Sequence, residues 1–259
     1  MNTFILKIYR GSPGNQYWEE FELPFYPRSN VISSLMEIQK KPVNRKGEHV
    51  TPVAWEQGCL EEVCGSCSML INGRPRQACT ALIKKVVNPK DNSVSLAPLT
   101  KFPLVRDLIV DRTSMFENLK KVHAWIDADS TYDHGAGPLV SPKVQEVMYA
   151  FSKCMTCGCC TESCPQVPEY KEDQGVVFMG PSSIGQAYLF NLHPTGHMQQ
   201  ELRNRPLMQE GGLINCGNAQ NCVKVCPRDV PLTDAIAAMG LTITKQAFHD
   251  LLKPDNGEG

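Results

Sequence analysis

The sequence lacks the features that mark several common classes of protein. No stretch approaches the ~20 consecutive apolar residues of a bilayer-spanning helix, and the longest candidate, 235–243, contains Gly240 and Thr242. We therefore expect no transmembrane segment. The formal net charge of −1 offers no electrostatic footprint for nucleic acid, so no nucleic-acid partner is expected. The first residues have neither an extended apolar core nor a small-residue cleavage site, which argues against a secretory signal.

Motifs for substrate chemistry are missing as well. The sequence has no phosphate-binding P-loop, no G-x-S-x-G nucleophile elbow and no H-E-x-x-H pair, and its six histidines are scattered. No catalytic residue is therefore predicted in this chain. If the protein takes part in an enzyme reaction, we expect the substrate to react on a different chain.

Cysteine is the residue type that stands out. Twelve cysteines among 259 residues are too few for a disulfide scaffold, yet too many for an intracellular protein that binds no metal. Thiols that are kept as metal ligands imply a reducing compartment. We therefore expect the protein in the cytoplasm or an equivalent compartment.

The second half of the chain contains two related cysteine runs. The first is Cys154-x2-Cys157-x2-Cys160-x3-Cys164-Pro165, and the second is Cys216-x5-Cys222-x3-Cys226-Pro227. The complete run is the bacterial ferredoxin pattern, in which the fourth cysteine of each run ligates the cluster of the other run. In the second run Ala219 stands at the position of the missing middle ligand.

Exchange of the fourth cysteines predicts two unlike clusters. One site receives four thiolates, which suit a [4Fe–4S] cluster. Its ligands are Cys154, Cys157, Cys160 and Cys226. The other site has three thiolates around an empty corner, which suit a [3Fe–4S] cluster. Its ligands are Cys164, Cys216 and Cys222.

The first half of the chain has a cysteine set of its own. Its members are Cys59, Cys64, Cys67 and Cys79. The x4 and x2 spacings of the first three are typical of plant-type [2Fe–2S] ferredoxins, whose fourth cysteine comes from a separate segment. Gly58, Gly65 and Ser66 fit a loop whose backbone amides point at cluster sulfurs. Zinc is the alternative, but three ligands packed within nine residues are tight for a tetrahedral zinc site.

One cysteine falls outside all three sets. Cys159 does not satisfy the ferredoxin spacing, whereas its neighbour Cys160 does. We expect Cys159 to be a buried small hydrophobic residue. Because Cys159 and Cys160 are adjacent, the choice between them as the cluster ligand stays open.

Local patterns predict a β-rich first half. Residues 4–10 and 18–23 are β-prone and flank a turn sequence, which indicates a β-hairpin. Asn30 is placed to cap a short helix that stops before Pro42. The strand at 69–71 runs into an Asn-Gly turn. A small mixed sheet crossed by one helix is the expected assembly.

The second half is predicted to be helical. Helical periodicity covers 114–126, a helix is expected to begin at Pro142, another is expected over 181–192, and a last one over 233–239. With a boundary near residue 105, the fold class is α+β. A plant-type ferredoxin-like (β-grasp) domain over 1–105 precedes an all-helical, bacterial-ferredoxin-like domain over 106–259.

The ordered motifs resemble a known family from the N-terminal hairpin to about Phe248. The three cysteine sets are similar, in order, to those of the iron–sulfur subunits of succinate dehydrogenase and fumarate reductase in respiratory complex II. The resemblance implies an electron relay for succinate dehydrogenase (quinone), in the order flavin, [2Fe–2S], [4Fe–4S], [3Fe–4S], quinone. It also implies partners: a flavoprotein subunit that holds FAD, and membrane-anchor subunits of the cytochrome b type that carry haem in some members. Held by such anchors, the chain would lie peripherally on the cytoplasmic side of the cell membrane.

Two departures from the family bear on the quinone. Many ubiquinone-linked members have a tryptophan shortly after the Cys-Pro and a histidine directly after the first cysteine of the second run. In this chain residues 166–170, which follow the Cys-Pro, contain no tryptophan, and Gly217 stands directly after Cys216 in place of the histidine. Pro165 is retained and marks the expected quinone vicinity. We therefore expect a quinone site of the menaquinone type or one that is otherwise rearranged.

Other interpretations stay open at this point. The same relay runs in reverse in a fumarate reductase. A different flavin dehydrogenase, such as a glycolate or glycerol-phosphate enzyme, is a second alternative, although such relays usually have paired four-cysteine runs and Ala219 argues against them. A zinc-stabilised binding module without redox activity is the third.

Overall fold

The structure is a computed structural model that describes residues 3–127 and 137–252 of the chain. Its first half contains a five-stranded sheet in the order β2-β1-β5-β3-β4. The strands are β1 Thr3–Ser12, β2 Asn15–Pro24, β3 Ser68–Ile71, β4 Arg74–Gln77 and β5 Ser93–Ala97, and a separate hairpin is formed by β6 Leu104–Arg106 and β7 Ile109–Val110. β1 and β5 are parallel and the other neighbours are antiparallel, so the sheet is mixed, as predicted.

The predicted N-terminal hairpin is confirmed. β1 and β2 pair without a break from Thr3 opposite Pro24 to Ser12 opposite Asn15. Alternate side chains of β1 are buried, because successive residues of a strand point to opposite faces of the sheet. This buried face supplies one side of the first hydrophobic core.

The helix expected after Asn30 is α1, Val31–Lys40. Asn30 Oδ1 accepts a hydrogen bond from Ser33 N at 2.8 Å, and Ser33 Oγ accepts one from Asn30 N at 3.0 Å. This reciprocal cap satisfies backbone N–H groups that have no partner within the helix. Leu35 and Ile38 lie on its buried face and pack into the same core as β1.

The second half of the described chain is helical. Its helices are α3 Thr113–Lys121, α4 Pro142–Ser152, α5 Cys159–Glu162, α6 Pro181–Leu192, α7 Pro194–His197, α8 Gln200–Met208, α9 Asn221–Val225 and α10 Leu232–Leu252, with a 3-10 turn at Leu213–Asn215, while α2, Ile83–Val86, belongs to the first half. α6 packs against α4, α8 and α10 at the centre of this half. The α+β fold class is thus confirmed.

The prediction that the first of these helices continues to Ile126 is wrong. α3 ends at Lys121, and His123 has a positive φ of 46°. The side chain of Arg203 is fully buried and donates hydrogen bonds to the carbonyl oxygens of His123 at 2.9 Å and Trp125 at 2.5 Å. A contact from α8 therefore holds these residues outside the helix, against their local periodicity.

The last helix is longer than predicted. α10 continues beyond Met239 to Leu252, since Gly240 lowers helix propensity without breaking the helix. Across the part of the chain that the structure describes, no helix is both long enough and apolar enough to cross a membrane.

The two halves meet beside the cysteine-bearing loops. The buried carboxylate of Glu162 accepts hydrogen bonds from Thr100 N at 2.9 Å, Thr100 Oγ1 at 2.8 Å and Lys101 N at 3.0 Å. Lys101 Nζ in turn donates to the carbonyl oxygen of Val167. These bonds attach the end of α5 and the loop after it to the first half. The predicted domain boundary near residue 105 falls within β6 and stays a prediction.

Candidate metal centres

The first cysteine set begins in a loop whose amides converge on sulfur. Cys59 Sγ accepts backbone hydrogen bonds at 3.2–3.3 Å from Glu61, Val63 and Cys64. Cys64 Sγ accepts one from Cys59 N at 3.3 Å. Leu60 and Glu62 adopt positive φ values of 62° and 57°, which turn the intervening peptides inward. The loop is therefore shaped to surround thiolate sulfur with N–H donors.

The glycines of this loop are needed for close approach. A Cβ on Gly58 would lie 2.9 Å from Cys64 Sγ. Gly65 has φ +76°, and a Cβ there would lie 2.9 Å from both Cys157 Cβ and the Met155 carbonyl oxygen. Gly65 is thus the point where the first cysteine loop touches the first run of the second half. Any larger residue would separate the two loops.

The structure brings the first set together as two pairs. Cys59 lies beside Cys64, and the buried Cys67 lies beside the buried Cys79. A hydrogen bond from the Ser66 side chain lowers the pKa of exposed Cys64 to about 6, whereas burial raises the pKa of Cys67 to about 12. Cys64 therefore forms the thiolate that binds metal more readily than Cys67 does.

Four cysteines line one pocket in the second half. They are Cys154, Cys157, Cys160 and Cys226. Cys226 belongs to the second run, yet it lies close enough for its charge to raise the pKa values of Cys154 and Cys160, after the larger effect of burial. α9 ends directly before Cys226, and Asn221 Nδ2 bonds the Ser163 carbonyl oxygen at 3.1 Å. This packing of α9 against the end of α5 carries Cys226 to the first run.

Three cysteines line a second pocket. They are Cys164, Cys216 and Cys222, and Ala219 lines the same pocket. Burial raises the pKa of Cys222, and like charges on Cys164 and Cys216 raise it further. Asn218 and Gln220 have positive φ values of 50° and 59°, so the loop coils tightly around Ala219.

The donor chemistry of both pockets fits iron–sulfur clusters. Burial raises the pKa values of Cys160, Cys164 and Cys226, so these groups keep their protons until metal displaces them, whereas a hydrogen bond from Cys159 lowers the pKa of Cys157 to about 7. Sulfur-rich sites of this kind select iron–sulfur clusters or zinc. Among the described residues, no three His, Cys, Asp or Glu side chains converge tightly enough to hold one isolated ion.

The structure separates Cys159 from the cysteines that line these pockets. Cys160 lines the four-cysteine pocket, and Cys159 does not. Cys159 is fully buried, as predicted, and its Sγ lies 3.6 Å from Gln77 Nε2. Its thiol also contacts Cys157, and that contact, together with burial, raises the pKa of Cys159.

Pro165 and Gly217 both line the three-cysteine pocket. The side chain of Gln166 lies over Gly217, where a Cβ would be only 2.6 Å from Gln166 Nε2. The amide of Gln166 thus occupies the space that a side chain at residue 217 would enter. The two departures from the family pattern are therefore adjacent in space.

Sequence reasoning missed the residues that join the cysteine loops. Arg112 Nη1 donates to the Gly65 carbonyl oxygen at 2.7 Å and lies 3.4 Å from the Cys157 carbonyl oxygen. Gln77 contacts a cysteine in each half of the chain. The only signal for Gln77 is a polar residue in a short strand at a position that alternates with more exposed ones. No sequence pattern marks Arg112.

Comparison with known proteins identifies a family for each half of the chain. Residues 5–117 match the family model of a 2Fe-2S iron-sulfur cluster binding domain, and residues 150–230 match that of a 4Fe-4S dicluster domain. The succinate dehydrogenase iron-sulfur subunit of Bacillus subtilis is 51% identical over 97% of this chain and 96% of its own length. The fumarate reductase iron-sulfur subunit of Wolinella succinogenes is 31% identical over 69% of this chain and 72% of its own.

A solved structure supports the fold. A chain of the Mycobacterium smegmatis Sdh1 complex in the apo form superposes with a TM-score of 0.77, at 22% identity, over 95% of this chain and 97% of that one. Fold and cysteine loops together define an iron–sulfur protein with [2Fe–2S] and [4Fe–4S] domains. The chain belongs to the family of iron–sulfur subunits of succinate dehydrogenase and fumarate reductase, the electron-transfer subunits of complex II. The family and the electron-transfer function expected from the sequence are confirmed.

Proposed function

We propose that this chain passes electrons from a flavoprotein subunit, which oxidises succinate to fumarate, to a membrane quinone. One observation carries the proposal: Cys226 lies with the first cysteine run, whereas Cys164 lies with the second run beside Ala219. This exchange is the arrangement of a two-cluster ferredoxin, with one ligand position filled by alanine. Bound clusters would supply one-electron redox centres, and this chain's residues hold them, tune them and exclude water.

The ligand assignment follows the three groups of thiols. The [2Fe–2S] cluster is assigned to Cys59, Cys64, Cys67 and Cys79. The [4Fe–4S] cluster is assigned to Cys154, Cys157, Cys160 and Cys226, and the [3Fe–4S] cluster to Cys164, Cys216 and Cys222. The contact of Gly65 with Cys157 supports direct transfer from the first site to the second, because electron tunnelling falls steeply with distance.

The proposal includes partners and a location. A flavoprotein with FAD would dock near the first site, and cytochrome b-type anchor subunits would hold the chain at the cytoplasmic side of the membrane. The described residues include no membrane-spanning helix, so anchoring is assigned to other chains. The quinone is placed near Pro165. The absence of tryptophan from 166–170 and the presence of Gly217 in place of the family's histidine support a menaquinone-type or otherwise rearranged site.

The proposed function is tested on the complex purified from its own membrane. Succinate should reduce the clusters, and low-temperature EPR should show an oxidised three-iron signal and two further signals on reduction. Glycolate or glycerol phosphate in place of succinate tests the other flavin dehydrogenases. Zinc in place of iron and labile sulfide would contradict the proposal, and faster turnover of fumarate than of succinate would favour the reverse direction.

Replacing Ala219 with cysteine tests the empty corner of the three-cysteine pocket. A fourth thiolate should let this site take up a fourth iron, so the oxidised three-iron signal should be lost and the potential of the site should fall. EPR and iron analysis measure both effects. Ala219→Ser is the matched control, because its hydroxyl is a poor substitute for thiolate, and it should keep the three-iron signal. An unchanged spectrum in Ala219→Cys would contradict the assignment.

Replacing Cys159 with alanine tests the choice between the adjacent cysteines. Because Cys159 does not line the four-cysteine pocket, all three EPR signals should persist. Loss of the [4Fe–4S] signal would show that Cys159, rather than Cys160, is the ligand.

A further inference from the structure

A buried amide connects the first cysteine set with the second half of the chain. Gln77, the last residue of β4, is fully buried and lies opposite Ser68 in the β3–β4 pair. Its Oε1 accepts a hydrogen bond from Cys67 Sγ at 3.4 Å. Its Nε2 lies 2.8 Å from Ser68 Oγ and 3.6 Å from Cys159 Sγ. One side chain thus contacts an assigned [2Fe–2S] ligand and the residue directly before Cys160, an assigned [4Fe–4S] ligand.

The orientation of this amide depends on the proton of Cys67. A thiol can donate to Oε1, but a thiolate bound to iron has no proton, and two acceptors would then face each other. Half a turn of the amide exchanges its oxygen and nitrogen with little displacement of either atom. After that turn Nε2 donates to Cys67 Sγ, and Oε1 faces Cys159 Sγ and Ser68 Oγ. The Ser68 hydroxyl donates to the Gly65 carbonyl oxygen at 2.7 Å, but it can turn to Oε1 because Arg112 Nη1 also donates to that carbonyl oxygen at 2.7 Å. The oxygen and the nitrogen of the amide then each have a partner, and the Gly65 carbonyl oxygen keeps Arg112 as its donor.

We infer that in the cluster-loaded protein Gln77 donates a hydrogen bond to the Cys67 thiolate and accepts one from Cys159, thereby raising the reduction potential of the [2Fe–2S] cluster. Reduction adds negative charge to the cluster, and a donor to its sulfur stabilises that charge. The effect is enhanced because the amide is shielded from water. The inference rests on the ligand assignment of the proposed function, and Gln77 acts as a positioning residue through Cys67.

The same contact gives Cys159 a role although it is not an assigned ligand. Its thiol completes the partners of the amide, and its peptide continues directly into Cys160. The amide therefore links the two loops a second time, in addition to the contact of Gly65 with Cys157. A residue that only filled space at this position would affect stability but not the potential of one cluster.

The test is a redox titration of the whole complex, followed by EPR. Gln77→Met and Gln77→Leu keep similar volume and remove the donor, so the reduction equilibrium of the [2Fe–2S] cluster should become at least about tenfold less favourable, or about 59 mV for one electron. The potentials of the other two clusters should change by less than about 59 mV. Gln39→Met, on the exposed face of α1, is the matched control and should change nothing.

A measurement on the unmodified complex tests the same hydrogen bond without relying on variants, which can fail to assemble. With glutamine side chains labelled with ¹⁵N, pulsed EPR of the reduced [2Fe–2S] cluster should detect coupling to one amide nitrogen. Absence of that coupling, or an unchanged potential in variants that keep all three signals, would overturn the inference alone. Absence of any [2Fe–2S] signal in the unmodified complex would overturn the proposed ligand assignment and this inference with it.

Discussion

Cys226→Ser should abolish the EPR signal of the [4Fe–4S] cluster, although Cys226 belongs to the second cysteine run. The reason is spatial, since Cys226 lines the pocket of Cys154, Cys157 and Cys160. The hard oxygen of serine is a poorer ligand for a cluster than thiolate. Electron transfer from succinate to quinone should fall by more than about tenfold, because even partners outside the ligand shell cost that much. EPR and quinone-reduction assays on the complex measure the two effects.

Cys159→Ser is the matched control for that substitution. It makes the same chemical change at a buried cysteine that does not line the pocket, so the [4Fe–4S] signal should survive. If Cys226→Ser instead removed only the three-iron signal, the exchange of ligands between the runs would be wrong.

Asp107→Ala should cause the largest loss of stability in the first half. Asp107 and Arg10 are both almost fully buried and form an ion pair at 3.2 Å. The carboxylate also accepts backbone hydrogen bonds from Gly11 at 2.8 Å and Ala54 at 2.7 Å. The substitution leaves these two backbone N–H groups without their acceptor, at about 1–3 kcal/mol each, and it leaves Arg10 with only its buried ion pair to Glu19 at 2.8 Å. Thermal unfolding of the cluster-loaded protein should show a clearly lower Tm.

An exposed aspartate provides the comparison for this effect. Asp91 pairs with Lys7 at 3.3 Å, but the side chains of Asp91 and Lys7 are 46% and 33% exposed to water. Solvent and salt screen such pairs, so Asp91→Ala should change Tm far less. Equal shifts for Asp91→Ala and Asp107→Ala would show that burial of the ion pair does not determine its contribution.

The features that the sequence predicted correctly are local ones. The cap at Asn30 involves Ser33, three residues away, and the N-terminal hairpin joins two strands through a two-residue turn. Prolines marked the starts of α4 and α6 because proline fits the first turn of a helix. In each case the stabilising partners lie within a few residues, so a pattern in the chain could reveal them.

The predictions that failed, and the contacts that were missed, depend on distant partners. α3 ends early because the guanidinium of Arg203, about eighty residues further along, bonds the carbonyl oxygen of His123. The attachment of Glu162 to Thr100 and the bridge from Gln77 to Cys159 likewise join separate segments. No periodicity encodes such pairs, because each partner is an ordinary polar residue in its own segment.

The sequence by itself determined the type, number and order of the metal-binding motifs, and with them the family, because ligand identity and spacing constrain which cluster can bind. It also determined the helices and strands whose signals are local. Only the tertiary structure decided which cysteines share a pocket, how closely Gly65 approaches Cys157, and which amide lies between the two loops. These features depend on packing between segments far apart in the chain, and that packing exists only in the folded protein.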